Sequence, residues 1–345
     1  MAERSYTASR SYTASGINLK AVPMGEFDRL VTVLTKENGL VRAIAPGARK
    51  HKSKLAGRSG LFVVNDLLFV KGKSLDKLIQ AETQRSFPGL SQDLAKLTAS
   101  QYLAELVLAQ ALTDQPQADL YYLLIEHLGR LEAATKANIL PCLTQATFHL
   151  LALAGVAPEV FRCCLSRTPL SPDISDPNWR VAFSVSSGGV IDPAEIVRLE
   201  QAELVRVEKR ERDRLERSGQ LANVWLGRFK AAVTQEISRD LGIVGYLSAA
   251  ELALMQQLNK PELVMTAATA FTPKTDSFAF GRSDSPLGSK SGTIRQTVLS
   301  VESGPHILWL HIEKFLRQYA QYQFERPIRS AALIDICFNP PTYAP

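Results

Sequence analysis

Leu30 to Ala45 reads LVTVLTKENGLVRAIA. Val, Thr and Leu crowd its first half, Lys36-Glu37-Asn38-Gly39 carries the Asn-Gly signal of a tight turn, and Leu40 to Ala45 resumes the apolar pattern. The stretch predicts a β-hairpin. Upstream, Tyr12 to Val22 predicts another strand. Downstream, Leu61-Phe62-Val63-Val64, Leu67-Leu68-Phe69-Val70 and Leu75 to Ala81 are apolar runs, separated by Asn65-Asp66 and by the turn Lys71-Gly72-Lys73-Ser74. Roughly five strands in about 75 residues predict a small closed barrel.

The hairpin runs into a cationic segment, RAIAPGARKHKSKLAGR from Arg42 to Arg58. It holds Arg42, Arg49, Lys50, Lys52, Lys54 and Arg58 plus His51, and no acidic residue occurs between Glu37 and Asp66. Such a run repels itself unless solvent or a polyanion screens it. It is therefore either a contact surface for a phosphate backbone or a solvated basic loop. Lys20, Arg29, Lys71 and Lys73 are weaker candidates for the same contact. Tyr12, Phe27 and Phe62 are the aromatics available to stack on bases, although each fits a core position better.

Residues 1–90 hold 15 Lys and Arg against 7 Asp and Glu, so this part is more positive than the whole chain at net +6, and the remainder is slightly negative. The chain's 345 residues are too many for one small core and imply two or three domains. Four cysteines, with Cys163 and Cys164 adjacent and Cys142 and Cys337 apart, form no disulfide framework and suit a reducing cytoplasm. No uninterrupted run of about 18 apolar residues suggests a membrane span.

The first residues contain an identical repeat, RSYTAS at Arg4–Ser9 and again at Arg10–Ser15, so 1–11 is expected to be a disordered extension. From Leu90 to Gly155 the apolar period becomes helical, through Leu94, Leu97, Leu103, Leu106 and Val107, then Tyr121 to Leu131 and Ile139 to Leu153. His127 and His149 fit core or boundary positions there. Arg162 to Pro193 is irregular, with a strand-like Val181 to Val185. Glu195 to Arg217 carries dense mixed charge, with Glu208/Arg212 and Asp213/Arg217 at i, i+4, which predicts an exposed helix. Thr272 to Thr293 is expected to be a flexible loop, and Ile307 to Tyr322 is amphipathic.

No catalytic constellation emerges. Gly288-Ser289-Lys290-Ser291-Gly292 lacks the glycine that precedes Lys-Ser in a phosphate loop, and His306 with His311 is an i, i+5 pair. Two readings that need no active site remain, a DNA-binding and an RNA-binding barrel protein. A nuclease would require carboxylates to converge.

The pattern of Thr13 to Gly57, TASGINLKAVPMGEFDRLVTVLTKENGLVRAIAPGARKHKSKLAG, followed by Leu67 to Glu82, closely resembles the RecO family of recombination mediators. Gly25-Glu26-Phe27-Asp28-Arg29, Gly47-Ala48-Arg49-Lys50, Tyr102 to Leu106 and Ala154-Gly155-Val156-Ala157-Pro158 coincide in order. Phe315 to Tyr319, continuing to Ile328-Arg329-Ser330, looks like the family's last helix. The resemblance implies an α+β, multidomain chain: an N-terminal OB-fold β-barrel (residues 12–88), then a mainly α-helical domain (89–345).

It implies DNA repair and homologous recombination: binding single- and double-stranded DNA, annealing strands coated with single-strand-binding protein, and assisting RecA loading with RecR. The C-terminal tail of single-strand-binding protein would contact the helical domain, and the protein would be cytoplasmic and nucleoid-associated. Many family members carry a four-cysteine zinc motif. Here the first pair is Cys163-Cys164 and the later position reads Val190-Ile191-Asp192, so no zinc or other cofactor is expected.

Overall fold

Period-two alternation decides which residues face inward. In the hairpin, Val31, Val33, Val41, Ala43 and Ala45 are buried, while Leu30, Thr32, Arg42 and Ile44 lie on the opposite face. The computed structural model describes residues 11–218, 226–262 and 305–338. Most of the expected N-terminal extension, the serine-rich 272–293 loop and the side chains of Arg212 and Arg217 lie outside the described residues.

Strand β1 (Ser11–Met24) pairs with β2 (Asp28–Thr35), which turns through Gly39 into β3 (Gly39–Ala45). The short helix α1 (Leu55–Arg58) follows, then β4 (Val64–Val70) and β5 (Asp76–Arg85). The order β1-β2-β3-β5-β4 closes into a barrel, with β3 and β5 parallel. This is an OB-like barrel. The interior is filled by Val31, Val33, Val41, Leu67, Phe69 and Leu78.

Of the two expected strands, Leu67–Val70 lies in β4, whereas Leu61–Val64 contributes only Val64 to it. Asn65 does not break β4, because its Nδ2 donates to Arg58 O (2.9 Å) and Val63 O (3.3 Å), which satisfies a buried amide inside the strand. Leu61 and Phe62 precede the strand, with Phe62 at φ 57 and its ring buried.

The barrel leans on helices α2 (Leu94–Gln110), α3 (Ala118–Ala133) and α4 (Ile139–Leu153). Ile17, Leu19 and Leu34 join the core formed by Leu103, Leu106, Leu124 and Leu143, so the two parts share apolar packing. The hairpin tip docks as well: Leu40 N donates to Leu112 O (2.8 Å) and Gln117 N to Lys36 O (2.9 Å). Gly39 sits at φ +65, and a Cβ there would lie 2.1 Å from Leu112 O, so only glycine fits.

Beyond α4, β6 (Arg180–Ser184), β7 (Gly189–Ile191), α5 (Pro193–Ser218), α6 (Leu226–Asp240), β8 (Ile243–Ser248), α7 (Ala249–Met255), α8 (Pro305–Gln323) and α9 (Ala331–Phe338) complete the described chain. A three-stranded sheet, β7-β6-β8, therefore sits within the helical part. Strand β8 was not expected from the sequence, because Gly245 interrupts its apolar run. That glycine leaves room for the Phe315 ring, which would lie 2.8 Å from an added Cβ. Among the described residues the last helix is α9 rather than a continuation of α8 to Ser330. Helix α8 stops at Gln323 because Glu325 adopts φ 50 and Pro327 cannot extend a helix.

His127 and His149 form a chain in the helical core. A carbonyl only accepts, so the 2.7 Å contact to Leu258 O makes His149 Nε2 the donor. His149 Nδ1 then accepts from His127 Nε2–H at 3.1 Å. Burial, with His149 and Arg130 nearby, pushes the His127 pKa down to about 3. The unfolded chain takes up this proton near pH 6.5, so stability is complete above that pH and falls below it, by about 1.4 kcal/mol per unit. Between pH 7 and 5 this residue should remove about 2 kcal/mol, read by urea denaturation. His127→Gln should flatten that pH dependence, and an equally steep decline in the variant would refute the assignment.

Candidate nucleic-acid interface

Strand register assembles the outer face of the barrel into two rows. Lys20 pairs with Thr32 and Thr32 with Arg42, which places two exposed cations on either side of a hydroxyl. The next row runs Val22, Leu30, Ile44, Lys77 across β1, β2, β3 and β5. At about 4.8 Å per strand the row spans roughly 14 Å. Ile79, 50% exposed, extends the apolar surface beyond Lys77. Apolar positions rimmed by cations suit bases lying on the sheet with phosphates at its edges.

The loop after β3 borders this face and is tied down at its ends. Gly47 N donates to Asp28 Oδ1 (2.8 Å), Arg49 N to Phe27 O (2.8 Å), and Arg49 Nη1 to Gly25 O (2.9 Å). At the far end Asn18 Nδ2 donates to Arg58 O (2.8 Å) and Gly60 O (2.9 Å). Between these anchors Lys50, His51, Lys52 and Lys54 are exposed. Phe27 is also on the surface, 45% exposed, with Lys50 Nζ 5.0 Å from its ring centroid.

The cations named from sequence divide by what they hold. Lys20, Arg42, Lys52, Lys54 and Lys73 are exposed, with no carboxylate partner among the described residues. Arg49 is exposed but also braces the β1–β2 turn. Arg29 turns onto the loop, with Nη1 donating to Ala56 O (3.0 Å) and Ser59 Oγ (2.8 Å), and Arg58 Nη1 donates to Ala81 O (2.5 Å). These two guanidinium groups hold the loop against the barrel. Lys71 pairs with Asp114 at 3.4 Å, beside Arg42 and Lys73 in one groove.

Lys77 was not singled out from sequence. Its signal was strand alternation, which places it on the face of Ile44 once β3 and β5 are paired. Tyr12 stacks on Phe69, with ring centroids 5.3 Å apart, and its hydroxyl donates to Asp76 (2.5 Å). Phe62 is buried, so Phe27 alone of the three named aromatics presents a largely open ring.

The adjacent thiols Cys163 and Cys164 have no second cysteine pair beside them among the described residues. Cys163 is buried and its Sγ accepts from Asp192 N at 3.3 Å. Burial raises its pKa, but hydrogen bonds from the Ser166 side chain and from the Ser166, Asp192 and Leu165 backbone outweigh that and leave it lowered. Cys142 lies in α4, and Cys337 contacts Thr98 Oγ1 at 3.4 Å. Among the described residues no three His, Cys, Asp or Glu side chains converge as a metal site, and no helix is long and apolar enough to cross a membrane.

Residues 10–87 match the family described as Recombination protein O N terminal, and residues 91–222 match Recombination protein O C terminal. The chain is 48% identical over 336 residues to a DNA repair protein RecO of Nostoc sp., covering 96% of this chain and 97% of that one. A DNA repair protein RecO of Acaryochloris marina is 45% identical with the same coverage, and one of Synechococcus elongatus is 39% identical over 95% of this chain and 96% of its own. With both family regions matched along an OB-like barrel and the helices behind it, the chain belongs to the RecO family of DNA repair proteins.

Proposed function

We propose that this chain is a non-enzymatic recombination mediator. It binds single- and double-stranded DNA on the β1–β2–β3 face and the 46–58 loop, anneals complementary strands coated with single-strand-binding protein, and assists RecA loading with RecR. The observation that carries the reading is the row geometry, in which Lys20, Arg42 and Lys77 rim an apolar strip beside an acid-free lysine loop. Two strands repel through their phosphates. A shared cationic surface lowers that repulsion and raises the encounter rate without any bond chemistry. The tail of single-strand-binding protein would dock on the helical part, and the protein would act in the cytoplasm at the nucleoid.

The test is the annealing rate of complementary oligonucleotides, each pre-coated with single-strand-binding protein, over a salt series. Acceleration that fades as salt rises is expected. Unchanged rates at every salt concentration, with DNA binding intact, would reject annealing. Phe27 supplies a second readout: Phe27→Ala should weaken single-strand binding by about tenfold, the worth of one base stack, and leave duplex binding nearly unchanged. Equal losses on both substrates would assign Phe27 to the fold instead.

A further inference from the structure

The cationic face does not end at the barrel edge. Lys20 and Val22 also line a groove of about 470 Å³, closed on its other sides by Leu61, by Ala104 and Leu108 of α2, and by Arg326 and Arg329 in the α8–α9 connection. Of its charged lining groups, Lys20, Arg326 and Arg329 are cations and Glu105 alone is acidic. Glu105 Oε2 accepts from Ser330 N at 3.3 Å, which turns one carboxylate oxygen toward the helical wall. Both arginines are exposed and have no carboxylate partner among the described residues. Val22 and Leu61 leave 39% and 41% of their surface open at the rim.

We propose that a single DNA strand lying on the barrel continues past Lys20 into this groove, where Arg326 and Arg329 take its phosphates and Val22 and Leu61 pack against a base. The inference rests on the barrel-face reading. Lys20 belongs to both surfaces: it opens the Lys20–Thr32–Arg42 row and lines the groove. Because Lys20 is common to both, the row and the groove share a cation at their junction. Sequence alone did not show it, because roughly 300 residues separate Lys20 from Arg326 along the chain while the fold brings them to one cleft.

The experiment compares full-length wild type with Arg326→Ala/Arg329→Ala on two oligothymidines, one of about 6 nucleotides, within the site size of one OB-fold, and one of about 25, beyond it. Anisotropy titrations over a salt series should show the long oligomer bound about tenfold more weakly, with its salt slope reduced by about 1.4, and the short one unchanged. Arg326→Lys/Arg329→Lys should restore the slope. Unchanged binding of the long oligomer would overturn the proposal, and so would equal losses on both lengths. Intact DNA binding with lost affinity for an acidic, phenylalanine-containing peptide would also overturn it, by giving the groove to a protein partner. The parent reading fails separately, if Lys50→Ala/Lys52→Ala/Lys54→Ala leaves the salt slope of both oligomers untouched.

Discussion

Replacing Lys50, Lys52 and Lys54 together by Ala should lower DNA affinity roughly 100-fold near 0.1 M salt, through lost counterion release. The slope of log affinity against log salt should flatten by about two units on single strands and nearly three on duplex, since each phosphate contact contributes about 0.7 and 0.9 respectively. These three lysines are preferred to Arg49 because their exposed ammonium groups take no part in the hydrogen bonds that fix the loop, whereas Arg49 braces Gly25. The variant should therefore keep its fold. The loss should also be uniform across sequences, because phosphate contacts carry no base information. Titrations on two unrelated oligonucleotides would check this, and a loss confined to one of them would point to base readout.

The largest stability effect is expected far from that surface. Arg317 of α8 forks onto Asp335 of α9, with Nη1 to Oδ2 at 3.0 Å and Nη2 to Oδ1 at 2.6 Å, donates to Ala331 O (2.9 Å), and pairs through Nε with Glu313 (3.1 Å). Glu313 is almost fully buried, and burial pushes its pKa up to about 7 even though Arg317 pulls it down. Arg317→Ala strands that carboxylate and unties α9, and should cost about 3–5 kcal/mol.

The sign of the pH dependence follows from the raised pKa. Without Arg317 the Glu313 carboxyl holds its proton still more tightly, so the variant goes on losing stability at pH values where wild type no longer does, and the deficit should be greater at pH 8 than at pH 6. Arg317→Met with Glu313→Leu should recover much of it, because a buried pair replaced by apolar groups is often neutral. Denaturation curves decide the matter, and a single variant within about 0.5 kcal/mol of wild type would show the network to be dispensable.

The barrel was legible in the sequence where local chemistry is strict. Asn38-Gly39 fixed the β2–β3 hairpin, and alternation from Leu30 to Ala45 separated the lining from the outer face. The Asn65-Asp66 pair misled, because polar residues inside a strand look like a break until Asn65 is seen bonded to Arg58 and Val63. Strand β8 was hidden by Gly245, whose missing side chain is explained only by the Phe315 ring from a distant helix. The site divides in the same way. The lysines of the loop are visible as a run, but the inward turn of Arg29 and Arg58, the outward turn of Phe27, and the alignment of Lys77 with Ile44 depend on pairings between strands. Composition cannot encode which cations remain free after the fold has used its share.

The β1–β2–β3 face and the 46–58 loop are proposed as the DNA surface. Amide hydrogen exchange of the full-length chain, with and without a saturating oligothymidine, tests this most directly. Slowed exchange is expected in residues 46–58 and along β2 and β3, with α5 unaffected. Protection confined to the helical part, with exchange in the loop and hairpin unchanged, would contradict it.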